Sequence, residues 1–359
     1  MDEPRVHETE RDTLAERLFG AVVGFFDVYS VYLGVRLGLY SALAVGAPVT
    51  SKEVADRAGV AERYAREWLE HQAVTGILGT AGDGDARTFS LPAGHAEVLL
   101  DPTSLSYLAP FARLAMSTVR PVDQVLEAFR TGGGVSWTAY GPDASEGQSD
   151  QNRPVFTQLL GSEWLPAIAE VHERLTAGGR VAEVGCGGGW AAIAMANAYP
   201  RVEVHGFDLD EASIDLARVN AAAEGLDDRV RFEVRDCADP SLAGAYDLVT
   251  AFECIHDMSR PVEVLAAMRN MAAEGGTVLI VDERVADTFV APGDELERMF
   301  YGFSITCCLP TGMDAERSAG TGTVMRASTL AAYAEEAGYS AFEVAPVEHD
   351  FFRLYRLTP

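Results

Sequence analysis

The sequence is poor in basic residues and contains a single lysine, Lys52. Among its 359 residues, 28 lysines and arginines face 54 aspartates and glutamates, which gives a formal net charge of −26. The acidic residues are spread along the chain and form no terminal tail. Such a chain repels phosphate backbones and anionic lipid headgroups, so we expect no nucleic-acid partner and no general binding to membrane surfaces.

Cysteine is scarce as well, and its spacing argues against two structural uses. The five cysteines are an odd number, and no two of them are separated by two residues as in a CxxC motif. This pattern suits neither a disulfide framework nor a structural zinc site. We therefore expect reduced thiols, a cytoplasmic protein and no bound metal.

Long uncharged apolar runs are also missing. The most apolar stretch, residues 18–35, is interrupted by Asp27, which leaves uncharged runs of nine and eight residues. A membrane-spanning helix needs about 20 apolar residues, so we expect no membrane contact. A helix over residues 14–43 would nevertheless be apolar on almost every face, and such a helix must be covered on all sides. A second copy of the chain would cover it, which predicts a homodimer.

Residues 50–91 have the pattern of a winged helix. A short capped helix ends at Gly59, and a second helix is expected at about 61–75. Two short strands, 77–78 and 88–91, flank a glycine-rich turn. The first 100 residues hold 15 acidic and 9 basic side chains, whereas a DNA-recognition helix needs positive charge towards phosphates. We therefore expect a structural or dimerising domain.

From about residue 176, short apolar runs alternate with helical patterns. Strands are expected at these segments: 180–184, 202–207, 230–234, 247–252 and 277–281. The alternation predicts an α/β fold with a doubly wound, Rossmann-like parallel sheet, preceded by a mainly helical winged-helix domain. Ligands of such sheets bind at the carboxyl ends of the strands.

The first expected strand runs into a glycine-rich turn, with the pattern E-x-G-x-G-x-G from Glu183 to Gly189. Glycines let the backbone turn sharply and approach a ligand, and the following helix N-terminus favours negative charge. A dinucleotide fingerprint would need glycine at position 190, where Trp190 stands. Nicotinamide and flavin dinucleotides are therefore disfavoured.

Two further strand ends carry carboxylates that suit a nucleoside. Asp208 follows the second strand, where a carboxylate can accept hydrogen bonds from both hydroxyls of a ribose. Asp236 follows the third strand and can accept the exocyclic amine of adenine. Each acid alone also suits a solvated loop, but their order along the sheet points to a nucleoside site.

This constellation resembles the class I S-adenosylmethionine-dependent methyltransferases over roughly residues 176–282. The resemblance implies that Glu183 and the glycine loop hold the methionine part of S-adenosylmethionine, with Asp208 on the ribose and Leu209 against the adenine. The loop residues concerned are these: Gly185, Cys186, Gly187 and Gly189. Asp236 and Cys237 would border the base, and Phe252 would lie near the cofactor.

The resemblance extends to bacterial two-domain, dimeric methyltransferases that act on small molecules. It rests on the winged helix and on four further segments: 151–156, 164–166, 252–258 and 351–355. In the related O-methyltransferases, a His-Asp or His-Asn pair before an aromatic residue supplies the general base. His256 and Asp257 match that pair, although Met258 replaces the aromatic residue. One alternative for His256 is a capping or packing role. Another is metal binding, for which Asp282, Glu283 and the cysteines at 254, 307 and 308 offer further ligands, although no spacing fits a tetrahedral site.

These patterns predict three regions: a winged-helix dimerisation domain at 1–100, a helical linker and substrate cover at 101–175, and a methyltransferase domain at 176–359. Aromatic residues before the sheet and a long segment at 284–326 suggest an apolar pocket, although each aromatic side chain also suits core packing. The aromatic residues are these: Trp137, Tyr140, Phe156, Trp164, Phe300, Tyr301 and Phe303. We expect methylation of an aromatic or hydrophobic natural-product-type molecule at oxygen. The alternatives are methylation at carbon or nitrogen, cyclisation or hydroxylation beside the same cofactor, and a ligand-sensing winged-helix regulator.

Overall fold

The structure, a computed structural model, describes residues 3–44, 46–239, 241–244 and 246–359. The chain divides into two compact units, and the division falls between Met116 and Ser117. The domain limits expected at residues 100 and 175 stay predictions.

The first unit is mainly helical. Its helices are α1 (Glu3–Arg36), α2 (Leu39–Leu43), α3 (Ser51–Ala58), α4 (Glu62–Val74), α5 (Ala93–Leu100) and α6 (Ala109–Val119), within which the chain passes into the second unit. Its strands are β1 (Val49–Thr50), β2 (Gly79–Ala81) and β3 (Thr88–Ser90), with a 3-10 turn at Gly84–Ala86. They form an antiparallel sheet in the order β1-β3-β2.

The start of α3 follows from a capping box. The Thr50 hydroxyl accepts a hydrogen bond from the Glu53 N–H at 3.3 Å, and the Thr50 N–H donates to the Glu53 carboxylate at 2.7 Å. Two N–H groups thereby find partners at the helix end. Gly59 ends α3 at φ 68°, as expected from the sequence.

The wing of the expected winged helix is offset by two residues. Its first strand lies at Gly79–Ala81 and not at 77–78, so this detail of the prediction is wrong. The N–H groups of Ile77 and Leu78 both donate to the Gln72 carbonyl and close the end of α4. They are therefore not available to pair with β3.

α1 is one continuous helix through Asp27. Its exposed large apolar side chains are the following: Leu14, Leu18, Phe19, Val22, Val23, Phe25, Phe26, Val28 and Tyr29. By length and composition alone, residues 7–36 are apolar enough to cross a membrane, and only 11% of the relevant window is buried. Core helices of soluble proteins and signal sequences satisfy the same criteria. The expectation of no membrane contact, which rested on the short uncharged runs on either side of Asp27, therefore stays a prediction.

The second unit alternates helices and strands. Its helices are α7 (Val122–Thr131), α8 (Pro142–Val155), α9 (Ala169–Ala177), α10 (Trp190–Ala198), α11 (Glu211–Ala223), α12 (Pro261–Met271), α13 (Glu295–Phe303), α14 (Leu309–Gly312) and α15 (Ala327–Glu336). Two 3-10 turns, Trp137–Tyr140 and Ile255–Asp257, and two π-helical segments, Phe156–Trp164 and Ser304–Cys308, complete its helical part.

Seven strands form the sheet of the second unit. They are β4 (Gly179–Val184), β5 (Val202–Asp208), β6 (Val230–Val234), β7 (Tyr246–Phe252), β8 (Ala272–Glu283), β9 (Ala341–Val344) and β10 (Phe352–Thr358). Their order is β6-β5-β4-β7-β8-β10-β9. Strands β4 to β8 pair in parallel, and β10 pairs antiparallel with β8 and β9. The five expected strands and the doubly wound sheet are confirmed.

The two faces of this sheet carry separate apolar cores, because side chains alternate along each strand. Val181 of β4 belongs to the core that includes Ile193 of α10. Val184 belongs to the core that includes Leu265 of α12 and Leu330 of α15. Helices therefore cover both faces, and the chain order reverses direction at β4, between β5 and β7. Such a switch point is where doubly wound sheets bind ligands.

Candidate active site

The glycine loop between β4 and α10 has no room for side chains at two positions. Gly185 and Gly189 have φ of 67° and 77°, which favours glycine. A Cβ at Gly185 would lie 2.7 Å from Cys254 Sγ, and a Cβ at Gly189 would lie 2.5 Å from the Phe232 ring. The loop is thus fixed by its neighbours, and Trp190 begins α10 directly after it.

A cavity of about 440 Å³ lies at the carboxyl ends of the central strands. All ten residues expected to bind the cofactor line it: Glu183, Gly185, Cys186, Gly187, Gly189, Asp208, Leu209, Asp236, Cys237 and Phe252. The structure therefore brings the whole predicted set together, and the individual roles stay predictions.

Glu183, one of the residues that line the cavity, has a buried carboxylate. The residue is 2% exposed, and its Oε2 has no hydrogen-bond partner among the residues that the structure describes. Burial raises the pKa of Glu183 to about 8, against an opposing hydrogen bond from the Ala192 backbone. An orphaned, buried acceptor at a cavity wall fits a ligand that brings its own donor, such as an ammonium group.

Asp208, at the end of β5, is held by backbone hydrogen bonds. Its Oδ2 accepts from the Gly187 N–H at 2.9 Å, and its Oδ1 accepts from the Asp210 N–H at 2.9 Å. Burial raises the pKa of Asp208. Since Gly187 belongs to the glycine loop, these bonds join two strand ends and orient the carboxylate beside the exposed side chain of Leu209.

Asp236 borders the cavity as part of an ion pair. Its Oδ2 accepts from Arg260 Nη2 at 2.6 Å, and its Oδ1 accepts from the Ala238 N–H at 2.9 Å. Arg260 also donates to Glu263 at 2.8 Å. Arg260 therefore has two carboxylate partners. The positive charge of Arg260 compensates the charge of Asp236, the residue expected to bind adenine.

His256 and Asp257, the expected catalytic pair, have different surroundings. His256 is 3% exposed, and its Nδ1 lies 2.6 Å from Asp282 Oδ1 and 3.1 Å from Glu283 Oε2. Asp257 lines the cavity, whereas His256 is not among the described residues that do. The sequence offered these two carboxylates only as possible metal ligands, and their pairing with His256 could not be predicted, because β8 is adjacent to β7 only in the folded sheet.

The charge of His256 follows from these partners. Burial disfavours the imidazolium, but Glu283 and Asp282 outweigh burial and hold the pKa of His256 well above its usual range. The imidazolium in turn lowers the pKa of Asp282 against the effect of burial. A histidine that keeps its proton at neutral pH is a poor general base. The predicted role of His256 therefore requires that this proton first be released.

Two groups of possible metal ligands meet at His256. Asp282 and Glu283 form one group with it, Asp257 and Cys308 form the other, and the ligand atoms of each group lie within 4.8 Å of one another. Ion pairing with His256 already explains the first group. Elemental analysis of the purified protein is the test for a metal at either one.

Glu253 was passed over in the sequence, although it follows Phe252 at the end of β7 and lines the cavity. Its position at a strand end was a usable signal, since ligands bind there. Its φ of 50° could not be read from the sequence.

The expected aromatic cover is only partly at the cavity. Trp137 and Phe156 line it, and the Phe156 ring lies 5.1 Å from that of Phe252. Three of the expected residues are instead buried outside the described lining: Tyr140, Trp164 and Phe300. These three residues pack in the core, which was the alternative interpretation for each aromatic residue.

Comparison with known families gives two matches. Residues 175–306 match the family described as methyltransferase domain, and residues 28–100 match the Rv2258c-like winged HTH domain. The chain thus contains a winged-helix domain followed by a methyltransferase domain, which confirms this part of the resemblance, whereas the dimer and the catalytic pair stay predictions.

Curated relatives match over part of their length. Ajmaline N-methyltransferase of Rauvolfia serpentina is 33% identical over 100 residues, which are 28% of this chain and 34% of that protein. Ubiquinone biosynthesis O-methyltransferase of Marinobacter nauticus is 30% identical over 152 residues, 36% of this chain and 61% of that protein. The chain therefore spans less than two thirds of these relatives. Tetracenomycin polyketide synthesis 8-O-methyl transferase of Streptomyces glaucescens is 26% identical over 280 residues, 74% of this chain and 77% of that protein.

Solved structures match over nearly the whole chain. Mitomycin 7-O-methyltransferase has a TM-score of 0.71 and 20% identity, covering 98% of this chain and 100% of that chain. Human N-acetylserotonin methyltransferase, solved in complex with SAM, has a TM-score of 0.72 and 16% identity, covering 96% and 97%. At these identities the likeness shows the fold, a helical N-terminal region and a methyltransferase sheet.

Proposed function

We propose that the protein uses S-adenosylmethionine to methylate a small organic molecule, at oxygen. The observation that carries this proposal is the cavity that collects the glycine loop with the carboxylates of Glu183, Asp208 and Asp236 at one edge of the sheet. The methyltransferase family match and relatives named for ubiquinone and polyketide methylation support the reaction class and an aromatic or hydrophobic natural-product-type acceptor.

The cavity residues fit this cofactor part by part. The orphaned carboxylate of Glu183, with the loop 185–189, would hold the methionine part, because an ammonium group supplies the missing donor. Asp208 would accept the ribose hydroxyls, and Leu209 would pack against the adenine. The residues that would border the base and the reacting end are Asp236, Cys237 and Phe252.

Bound S-adenosylmethionine supplies a methyl group that its sulfonium already activates, so the protein mainly orients the acceptor and receives its proton. His256, beside Asp257, stays the predicted general base. We expect His256→Ala to lower turnover about tenfold or more at unchanged cofactor affinity. Alanine at position 256 also leaves the buried carboxylates of Asp282 and Glu283 without their partner, which lowers stability. His256→Gln, checked by thermal unfolding, therefore serves as a second variant that separates an effect on the reaction from an effect on stability. Unchanged turnover in a folded variant would remove His256 from the mechanism.

The reaction itself is tested with methyl-labelled cofactor and a panel of phenols, keto acids and amines, followed by mass spectrometry. Label on oxygen of a product supports the proposal. Label on nitrogen or carbon, or a changed product without label, would establish one of the alternative reactions. Asp208→Asn is the matched control, since it should lose cofactor binding and all labelling together.

We further propose a cytoplasmic homodimer with α1 at its interface. The exposed apolar side chains of α1, described above, support this, because a soluble chain must cover so large an apolar surface. Size-exclusion chromatography with light scattering, without detergent, is the test. A monomer at micromolar concentration contradicts the dimer, and a chain that stays in solution only with detergent contradicts the soluble state.

A further inference from the structure

Glu253 has an unusual backbone conformation at the cavity wall. It is the one non-glycine residue with positive φ, 50°, among those the structure describes. Its N–H donates to the Val281 carbonyl at 2.8 Å, which extends the pairing of β7 with β8 by one residue. Such conformations cost free energy, and they cluster at functional sites.

The side chain of Glu253 is held on one oxygen and left without a partner on the other. Gln148 Nε2, from α8, donates to Glu253 Oε2 at 3.2 Å and to Asn152 Oδ1 at 3.2 Å. The amide thus uses both of its hydrogens within the protein. Oε1 of Glu253 is buried and has no hydrogen-bond partner within the described part of the chain. Because Glu253 itself lines the cavity, a ligand bound there is a source of the missing donor.

The charge around this oxygen limits what that donor can belong to. Asp257 is a further acid of the cavity lining, and among the described lining residues Arg260 is the one cation. Arg260 is already paired with Asp236 and Glu263. A negatively charged acceptor would find no free cation there, whereas a neutral hydroxyl finds an acceptor.

We propose that Oε1 of Glu253 binds the hydroxyl of a neutral, phenol-type acceptor and receives its proton, with Gln148 fixing the carboxylate. Trp137, Phe156 and Met258 supply apolar wall for the ring. The O–H bond breaks, its electron pair stays on the acceptor oxygen, and the proton passes to Glu253 Oε1. This assignment rests on the proposed methyltransferase function and makes Glu253, in place of the sequence-predicted His256, the residue that takes the proton of the acceptor.

The electrostatic surroundings agree with that role. Burial raises the pKa of Glu253 to about 8, and the charge of Asp282 adds to the effect. His256 lowers this pKa, the Gln148 hydrogen bond lowers it, and Cys308 raises it. A proton acceptor works best when its pKa lies near the working pH.

The test uses 4-nitrophenol, whose absorbance distinguishes its neutral and ionised forms, with the full-length protein and saturating S-adenosylhomocysteine. Near pH 8, close to the pKa of Glu253, the wild-type complex should hold one shared proton that lies on Glu253, so the bound probe should absorb as phenolate. Glu253→Gln keeps the shape and cannot take the proton, so it should bind the probe as neutral phenol, about tenfold more weakly. Gln148→Leu should also weaken binding, and Glu336→Gln on α15 should match the wild type.

Equal spectra and affinities for the wild type and a folded Glu253→Gln variant would overturn the assignment. So would a wild type that binds S-adenosylhomocysteine but no 4-nitrophenol, because the acceptor class would then be wrong. Calorimetric titration with S-adenosylhomocysteine alone is run first. A wild type that fails to bind it overturns the proposed function itself, and with it this assignment, so the two failures are distinguishable.

Discussion

At the scale of single residues, the cavity lining includes buried carboxylates that have no cationic partner among the described residues. Glu183 is the clearest example, since a strand end, the helix α10 and the glycine loop surround it. Without a ligand, the buried carboxylate lowers the stability of the folded protein. With a cationic ligand bound, the same carboxylate contributes to binding. Stability and binding should therefore respond in opposite directions when it is changed.

We expect Glu183→Gln to make the ligand-free protein more stable at about pH 8 and to weaken S-adenosylmethionine binding about tenfold. Because folding raises the pKa of Glu183 to about 8, the folded state binds more protons than the unfolded state between its ordinary pKa of 4.5 and 8. The wild-type free energy of unfolding should thus fall over this range more steeply than that of the variant, by more than about 1 kcal/mol.

Urea unfolding at several pH values and calorimetric titration check this prediction. Glu336→Gln, an exposed change of the same kind on α15, serves as the control. Parallel pH curves for the wild type and Glu183→Gln would show that the Glu183 carboxylate is not desolvated in the folded protein.

The positive φ of Glu253 leads to a separate prediction. At positive φ an L-residue with a Cβ is strained, whereas glycine is not. We therefore expect Glu253→Gly to be more stable than Glu253→Ala by about 1 kcal/mol, the reverse of the usual order within regular structure. Thermal unfolding of the two variants measures the difference. Because both lack the carboxylate, an equal or reversed order would mean that this position is unstrained.

The sequence identified residues that act at their own strand ends, but it could not show which side chains meet across neighbouring strands. Glu183 and Asp208 were recognisable because each ends a strand of the parallel sheet. The partners of His256 lie on β8, 26 and 27 residues further along the chain (282 − 256 and 283 − 256), and only the strand order brings them near. The consequence is substantial, since these partners keep the expected base protonated.

At the scale of elements, local chemistry explains the winged helix well. The capping box at Thr50 and the stop at Gly59 were visible in the sequence, and α3 begins and ends there. The arginines of α4 are engaged on the protein itself: Arg63 pairs with Glu67, and Arg66 with Glu62. Such a helix has little positive charge to offer phosphates, which argues against a DNA-binding regulator. Absence of DNA retardation at low salt is the corresponding measurement.

We expect Thr50→Ala to lower the stability of the winged-helix unit by about 1 kcal/mol, because the Glu53 N–H loses its side-chain acceptor. Urea unfolding followed by circular dichroism measures the loss. Thr50→Ser keeps the hydroxyl and should stay near the wild type. An alanine variant as stable as the serine variant would show that water replaces the cap without cost.

At the scale of the whole molecule, α1 exposes a large apolar surface in the single chain. We expect Phe19→Asp combined with Phe26→Asp to convert the proposed dimer to a monomer, because these rings are 72% and 56% exposed on one helix. Light scattering during size-exclusion chromatography measures the mass. Tyr64→Asp on α4, 79% exposed, is the matched control and should leave the mass unchanged. A double variant that keeps the dimer mass would place the interface elsewhere.

Lys52, the single lysine of the sequence, lies on α3. Its ammonium is 2.8 Å from the Asp56 carboxylate, and most of its side chain is exposed. A reagent that acylates amines therefore meets one side-chain target in this sequence besides the α-amino group. A dye or a crosslinker can thus be attached to the winged-helix domain of the natural protein, without any engineered residue and far in sequence from the glycine loop.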